Sequence, residues 1–179
     1  MSSIFFSSSD WQTIVFRLST ALVVGGAIGY NRQQPGRPAG LRTFMIVSLG
    51  SAAFVMIPLQ VDGESTFYST NALSRTIQGV AAGIGFLGAG MILQQSGQKF
   101  GKPEVKGLTS AATIWLAAGL GAAAGCGLWQ MCLIGTLMAL AVLSGVKKIK
   151  KSPLIRLNGY KLTKIRQKDT ASSQDVQQQ

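Results

Sequence analysis

Long uncharged stretches separated by short polar connections dominate the pattern of hydrophobic and polar residues along the chain. Three stretches contain no charged residue, namely 43–61, 76–98 and 107–146. A helix needs about 20 mostly apolar residues to cross about 30 Å of hydrocarbon. The first two stretches are therefore each long enough for one membrane span, and the third is long enough for two.

The ends of these stretches complete the predicted set of helices. The small residues at 124–127 indicate a hinge in the long third stretch, and Trp129 just beyond it is typical of a membrane interface. A further span begins at Trp11 and ends at Tyr30, with no basic segment or cleavage site that would mark a signal peptide. The sequence predicts an all-α membrane protein with five transmembrane helices, at about 11–30, 41–60, 76–95, 108–125 and 128–146.

The distribution of basic residues predicts how these helices are oriented. Of the 17 Lys and Arg residues, all but Arg17 and Arg75 fall on one side of the predicted spans. They are Arg32, Arg37, Arg42, Lys99, Lys102, Lys106 and the nine basic residues that follow position 146. Cytoplasmic connections are enriched in Lys and Arg. Residues 1–10 are therefore expected outside, and residues 147–179 are expected to form a basic, then polar and partly disordered, cytoplasmic tail.

Composition narrows the function further. The net charge is +11, but hydrophobic residues make up 47% of the chain and charged residues only 13%, against about 25% in soluble domains. We therefore expect a lipid bilayer, and no nucleic acid, as partner. The absence of histidine excludes Ser-His and Cys-His catalysis and His-ligated zinc. No carboxylate lies within a predicted span, so no metal site is expected there. Because the sequence shows no nucleophile–base pair, no enzyme activity and no cofactor are expected either.

Glycines are frequent within the predicted spans. Gly25 and Gly29 form a G-x-x-x-G pair, the spacing that lets two membrane helices approach closely, as do Gly79 with Gly83 and Gly121 with Gly125. A second group in the third span consists of Gly83, Gly85, Gly88 and Gly90. Its first three members match the dinucleotide pattern G-x-G-x-x-G, but that pattern requires a preceding strand and a following acidic residue. Helix packing is favoured, and backbone opened around a polar cavity is the alternative.

A few polar residues are candidates for function. Arg17 is the only charge within a predicted span and is either functional or extended toward the outer interface, and Gln78 lies one turn into the third span. We define an inner-face cluster, expected to bind an anion or a partner protein. Its members are Arg37, Arg42, Thr43, Lys106, Thr109 and Thr113. The alternative for the hydroxyls is bonding to carbonyls of their own helix.

Three ordered motifs, together with Arg17, carry a resemblance to a known family. They are Gly25-Gly26-Ala27-Ile28-Gly29, then 37–43 (RPAGLRT), then 83–90 (GIGFLGAG) with 106–115 (KGLTSAATIW). This order resembles the MgtC/SapB family of bacterial inner-membrane proteins over about residues 14 to 146. The chain looks like a short form without the cytoplasmic C-terminal domain of longer members.

The resemblance implies a multi-pass inner-membrane protein associated with magnesium homeostasis or stress adaptation. It implies that the protein acts by modulating partner membrane proteins, and the alternative is an oligomeric transporter or channel for Mg²⁺ or another ion. The expected protein partner is another membrane protein or a second copy of the chain. Two acidic positions common in the family are occupied here by Asn31 and by the 71–74 segment (NALS), which weakens any inherited cation site.

Overall fold

The computed structural model describes residues 10–33, 39–60, 66–95, 97–99, 102–104 and 107–150. Five α-helices follow one another, and a small antiparallel hairpin lies between the third and the fourth. The elements are α1 (Trp11–Arg32), α2 (Leu41–Gln60), α3 (Thr66–Gln95), β1 (Gly97–Lys99), β2 (Lys102–Glu104), α4 (Leu108–Gly125) and α5 (Trp129–Lys150). The predicted all-α class is confirmed, with the three-residue strands as an addition to it.

Three helices extend beyond the spans drawn from the uncharged stretches. α3 begins at Thr66, ten residues before the predicted start, α1 ends at Arg32, and α5 ends at Lys150. All three extensions carry polar or charged residues, which a helix accommodates because its backbone hydrogen bonds do not depend on hydropathy. Arg32 and Arg75 therefore lie within helices but outside the predicted spans.

Four helices are long and apolar enough to cross a membrane. They are Trp11–Arg32, Leu41–Gln60, Thr70–Gln94 and Leu108–Gly125. In α5 the apolar part, Trp129–Gly145, is shorter. The orientation of the bundle and the predicted external segment and tail stay predictions, since residues 1–9 and 151–179 lie outside the described residues.

The core forms where α2 is packed between α1 and α4. A Cβ atom built at Gly25 would lie 2.6 Å from the Phe44 carbonyl oxygen, and one built at Gly125 would lie 2.6 Å from that of Ala52. At Gly121 a Cβ would overlap the carbonyl oxygen of Ser48. Because glycine lacks this atom, the backbones of α1 and α4 both touch α2. The order of these contacts shows that α1 runs antiparallel to α2 and that α4 runs parallel to α2.

α3 packs on α2 and α4 and runs antiparallel to both. Near its beginning, Leu73 contacts a buried cluster that includes Leu59 and Ala122, and further along Gly88 approaches the Ala111 side chain. Only 6% of the most apolar part of α3 is buried inside the protein, compared with 61% for the corresponding part of α4. α3 is therefore a peripheral helix with most of its surface exposed.

The chain divides into two compact units, Met1–Leu140 and Ala141–Gln179. In the first unit, the Cys132 thiol of α5 donates a hydrogen bond to the Leu120 carbonyl at 3.3 Å, and Gly135 faces the Leu120 side chain. In the second unit, the described part is the end of α5 from 141 to 150.

The Ser48 hydroxyl joins α2 to α1. It is fully buried and donates a hydrogen bond to the Ala21 carbonyl at 2.8 Å. We expect Ser48→Ala to lower the free energy of unfolding in detergent by about 1 kcal/mol, because an interhelical hydrogen bond is lost in a dry interface. Ser51→Ala is the matched control, since the Ser51 hydroxyl bonds Val47 of its own helix. Equal losses in thermal melts of the two variants would contradict this assignment.

Candidate functional site

Two buried arginines lie on α1, fifteen residues apart. Arg17 and Arg32 are only 6% and 5% exposed. Arg17 donates a hydrogen bond to the Gly125 carbonyl at the end of α4, and Arg32 donates one to the Ser110 hydroxyl near its beginning. Since α1 and α4 are antiparallel, both contacts fit the same alignment of the two helices. They join the helices at both ends, about 22 Å apart at 1.5 Å per residue.

At one end, the Arg17 guanidinium caps the carboxyl terminus of α4. Its Nη1 lies 2.8 Å from the Gly125 oxygen, where the helix leaves carbonyls without amide donors and carries partial negative charge. Gly127 follows with φ +80°, and a Cβ there would lie 3.2–3.3 Å from the guanidinium. Glycine is required for both reasons. Burial raises the pKa of the nearby Cys126 thiol against the opposing effect of Arg17, so the thiol is protonated at neutral pH.

At the other end, Arg32 reaches from the last turn of α1 to the first turn of α4. Its Nη2 donates to Ser110 Oγ at 2.6 Å, and both side chains are buried. Gly107, the residue just before α4, has φ +90°. Its carbonyl accepts a hydrogen bond from the Ala111 amide. The contact therefore fixes how α4 begins against the end of α1.

The inner-face cluster is only partly within the described residues, and Arg37 and Lys106 lie outside them. Arg42 and Thr43 are exposed in the first turn of α2, and Thr109 is exposed in the first turn of α4. Thr113 is buried, and its hydroxyl donates to the Thr109 carbonyl at 2.5 Å. Thr113 thus bonds its own helix, whereas Arg42, Thr43 and Thr109 remain accessible to a ligand or partner.

The singled-out glycines fall into two groups. Gly25 and Gly29 touch α2, as described for the core, and Gly88 touches Ala111. Apart from the nearby backbone of α3 itself, nothing in the described part of the chain lies within 4 Å of a Cβ built at Gly83, Gly85 or Gly90. Gln78 is exposed as well, so most of the polar and glycine positions of α3 face outward. The segment from Gly83 to Gly88 is continuous helix, without the strand that the dinucleotide pattern requires.

One stripe of α3, which we call the outer face of α3, combines small and large apolar residues. Its members, at helical spacing, are Ala82, Phe86, Ala89, Gly90 and Leu93. Phe86 is 80% exposed and Leu93 is 76% exposed. The missing side chain at Gly90 leaves a depression between these two large residues.

Sequence reasoning missed Arg32 and Ser110 as partners. The sequence places Arg32 in a connection because the predicted first span ends at Tyr30. Its distance of fifteen residues from Arg17 places both arginines within about 60° of one another around a helix of 3.6 residues per turn. That spacing was the available signal, but Ser110 has none of its own.

The chemistry within reach of these residues is cationic and hydroxylic. Within 10–33, 39–60, 66–95, 97–99, 102–104 and 107–150, no group of three His, Cys, Asp or Glu side chains could hold a metal ion. The two cysteines are free and buried. The arrangement is thus suited to holding helices together and to binding anionic groups.

Comparison with known proteins identifies the family. The model of the MgtC family matches residues 18–152. Protein SrpB of Synechococcus elongatus is 54% identical over 164 residues, which are 90% of each chain. "Putative magnesium transporter YhiD" of Escherichia coli K12 is 37% identical over 72% of this chain and 58% of that protein. Protein MgtC of Brucella abortus is 38% identical over 70% of this chain.

The extent of the match differs between relatives. The chain spans 90% of SrpB but only 58% of YhiD and 48% of the Brucella MgtC protein. No solved structure matches the chain significantly. With a family match over most of its length and four helices that could span a bilayer, the chain belongs to the MgtC family and is a multi-pass protein of the bacterial inner membrane.

Proposed function

We propose that this chain is a non-enzymatic membrane protein of magnesium homeostasis or stress adaptation that acts by modulating a partner membrane protein. The name of YhiD and the resemblance to MgtC proteins support the physiological setting. The observation that carries the mode of action is the outer face of α3. Four glycines of the core pack against the backbone of α2, whereas Gly90, between exposed Phe86 and Leu93, meets no neighbouring helix. The four are Gly25, Gly29, Gly121 and Gly125.

A partner helix fits this face for a physical reason. In a bilayer, exposed apolar side chains contact lipid without cost, so Phe86 and Leu93 alone indicate nothing. A glycine in an exposed helix face costs helix stability, about 0.5–1 kcal/mol relative to alanine, unless another backbone approaches it. Gly90 gains that compensation when a second membrane helix packs into the depression.

We propose that the Arg32 end of the bundle faces the cytoplasm. This orientation follows from the bias of 15 basic residues toward that side. The exposed members of the inner-face cluster, Arg42, Thr43 and Thr109, would then meet an acidic loop of the partner or lipid phosphate.

The alternative is an oligomeric ion transporter. The electrostatics of the described helices do not favour a cation path through one chain, because two arginines, Arg17 and Arg32, are buried in them and none of these helices contains Asp or Glu. Purified protein in liposomes is expected to give no flux of Mg²⁺, H⁺ or K⁺ above that of empty vesicles. Flux that depends on the protein would favour the transporter instead.

We expect Gly90→Leu to reduce recovery of the partner about tenfold in co-purification from mild detergent, because the leucine fills the depression on the outer face of α3. Wild-type protein should recover a membrane protein in stoichiometric amount. Gly119→Leu is the matched control, since Gly119 is exposed on α4 with nothing near its Cβ position. Repeated recovery of the chain alone, or equal loss with both variants, would refute the proposal.

A further inference from the structure

An apolar groove of about 460 Å³ separates α2 from α3. It is lined by residues of 46–54 on α2 and of 76–84 on α3, including Gly50, Gly79 and Gly83. Its two hydroxyls bond their own helices, Ser51 to the Val47 carbonyl and Thr76 to the Ala72 carbonyl. The side chains that line the groove therefore leave no hydroxyl without a hydrogen bond, and its volume lies within the range of ligand sites, about 300–1,000 Å³.

The shape and lining of the groove suit a hydrocarbon chain. From Ile46 to Phe54 it runs along α2 for eight residues, about 12 Å, and its lining is apolar apart from the two hydroxyls that already bond their own helices. Its depth comes from Gly50, Gly79 and Gly83, where a built Cβ meets nothing within 4 Å.

One end of the groove carries a positive charge. Arg75 is exposed, precedes Thr76 and lies one turn before Gly79 on the same side of α3. Helical side chains lean toward the amino terminus, so the guanidinium extends from the groove toward the beginning of α3. The Phe54 carbonyl at this end receives no helical hydrogen bond from position 58, because Pro58 has no N–H.

We propose that this groove binds one acyl chain of an anionic glycerophospholipid whose phosphate is held by Arg75. The groove lies between membrane-spanning helices, where acyl chains are the surrounding solvent, and the arginine supplies the complementary charge. The lipid belongs to the leaflet at the Arg17 end of α1, because Leu73 and Leu59 place the beginning of α3 at that end. This site does not depend on the proposed function, since it lies apart from Phe86, Gly90 and Leu93.

The test uses full-length protein in phosphatidylcholine vesicles with a trace of a lipid that carries a photoreactive diazirine in one acyl chain. The probe is either phosphatidylglycerol or phosphatidylcholine, and labelled peptides are mapped by mass spectrometry. Labelling by the phosphatidylglycerol probe is expected to concentrate on 46–54 and 76–84. It should exceed labelling by the phosphatidylcholine probe there about tenfold, because the choline ammonium repels Arg75 and offsets the attraction of the arginine for the phosphate.

Two pairs of variants separate the acyl chain from the headgroup. Gly83→Leu fills the groove and should lower labelling by both probes about tenfold, whereas Gly119→Leu should leave it unchanged. The open space around Gly83 means that this variant keeps its fold. Arg75→Gln should remove the preference for phosphatidylglycerol and leave phosphatidylcholine labelling as it is, and Arg75→Lys should keep the preference.

Three results would overturn the proposal. Labelling spread evenly over all lipid-facing helices would show that the groove is not a site. Equal labelling of the Gly83→Leu and Gly119→Leu variants would also show that the groove is not a lipid site. If the groove is labelled in vesicles of purified protein but not in native membranes, a protein partner occupies it in the cell. Loss of partner recovery in Gly90→Leu alone would leave this lipid site unaffected, so the two proposals fail independently.

Discussion

A single added methyl group in Gly121→Ala is expected to lower the free energy of unfolding by about 3 kcal/mol. A Cβ atom at this position would overlap the Ser48 carbonyl oxygen and lie 2.7 Å from the Ser48 Cα. Overpacking of a core costs about 1–3 kcal/mol when side chains can move. Here the obstacle is backbone, so α2 and α4 must separate along the contact that also includes Gly125 and Ala52.

Gly119→Ala provides the comparison for this variant. Gly119 lies on the same helix, is exposed and has nothing within 4 Å of its Cβ position. Alanine there should leave stability unchanged or raise it by up to about 1 kcal/mol, because alanine loses less backbone entropy in a helix. Thermal melts of both variants in the same detergent measure the difference. Similar melting temperatures would show that α2 and α4 do not touch at Ser48.

Arg17→Leu is expected to destabilise the protein by about 2 kcal/mol. Leucine relieves the cost of a buried charge but removes the donor to the Gly125 carbonyl and the cation at the negative end of α4. A hydrogen bond to a charged group contributes about 1.5–3 kcal/mol, and the orphaned carbonyl adds its own desolvation cost. Loss of the cap therefore outweighs relief of the charge.

A double-mutant cycle with Gly127 checks this contact directly. Gly127→Ala strains a residue at φ +80° and places its methyl group against the Arg17 guanidinium. In the Arg17→Leu background the backbone strain remains, but the clash with the guanidinium does not. The two effects measured by thermal melts should therefore be non-additive, and strict additivity would place the guanidinium elsewhere.

The glycine pairs show how far helix contacts can be predicted from sequence. The pairs Gly79/Gly83 and Gly121/Gly125 have identical spacing, yet α2 fills only the second. Spacing tells whether a helix can be approached closely, because that depends on its own side chains. Whether a neighbour is present depends on the three-dimensional arrangement of the helices, which spacing does not encode.

A different factor limits how well the positions and partners of the polar residues can be predicted from sequence. The number of helices follows from uncharged length, but Arg32 and Arg75 lie beyond the uncharged stretches and within helices. A buried arginine is stabilised by partners distant in sequence, such as Ser110. Thr113, by contrast, needs no distant partner, because its hydroxyl donates to a carbonyl of its own helix. This is one of the two interpretations of the hydroxyl residues that the sequence offers.

The paired contacts of Arg17 and Arg32 set a length for the protein. The two residues are about 22 Å apart along α1, less than the hydrocarbon thickness of about 30 Å in a typical bilayer. The uncharged part of α1 is thus shorter than such a bilayer, and the apolar turns from Trp11 to Phe16 supply the rest of the span. A segment shorter than the hydrocarbon is accommodated by local thinning of the membrane, at a cost that rises with each ångström. We therefore expect thinner membranes to favour the two contacts that join α1 to α4.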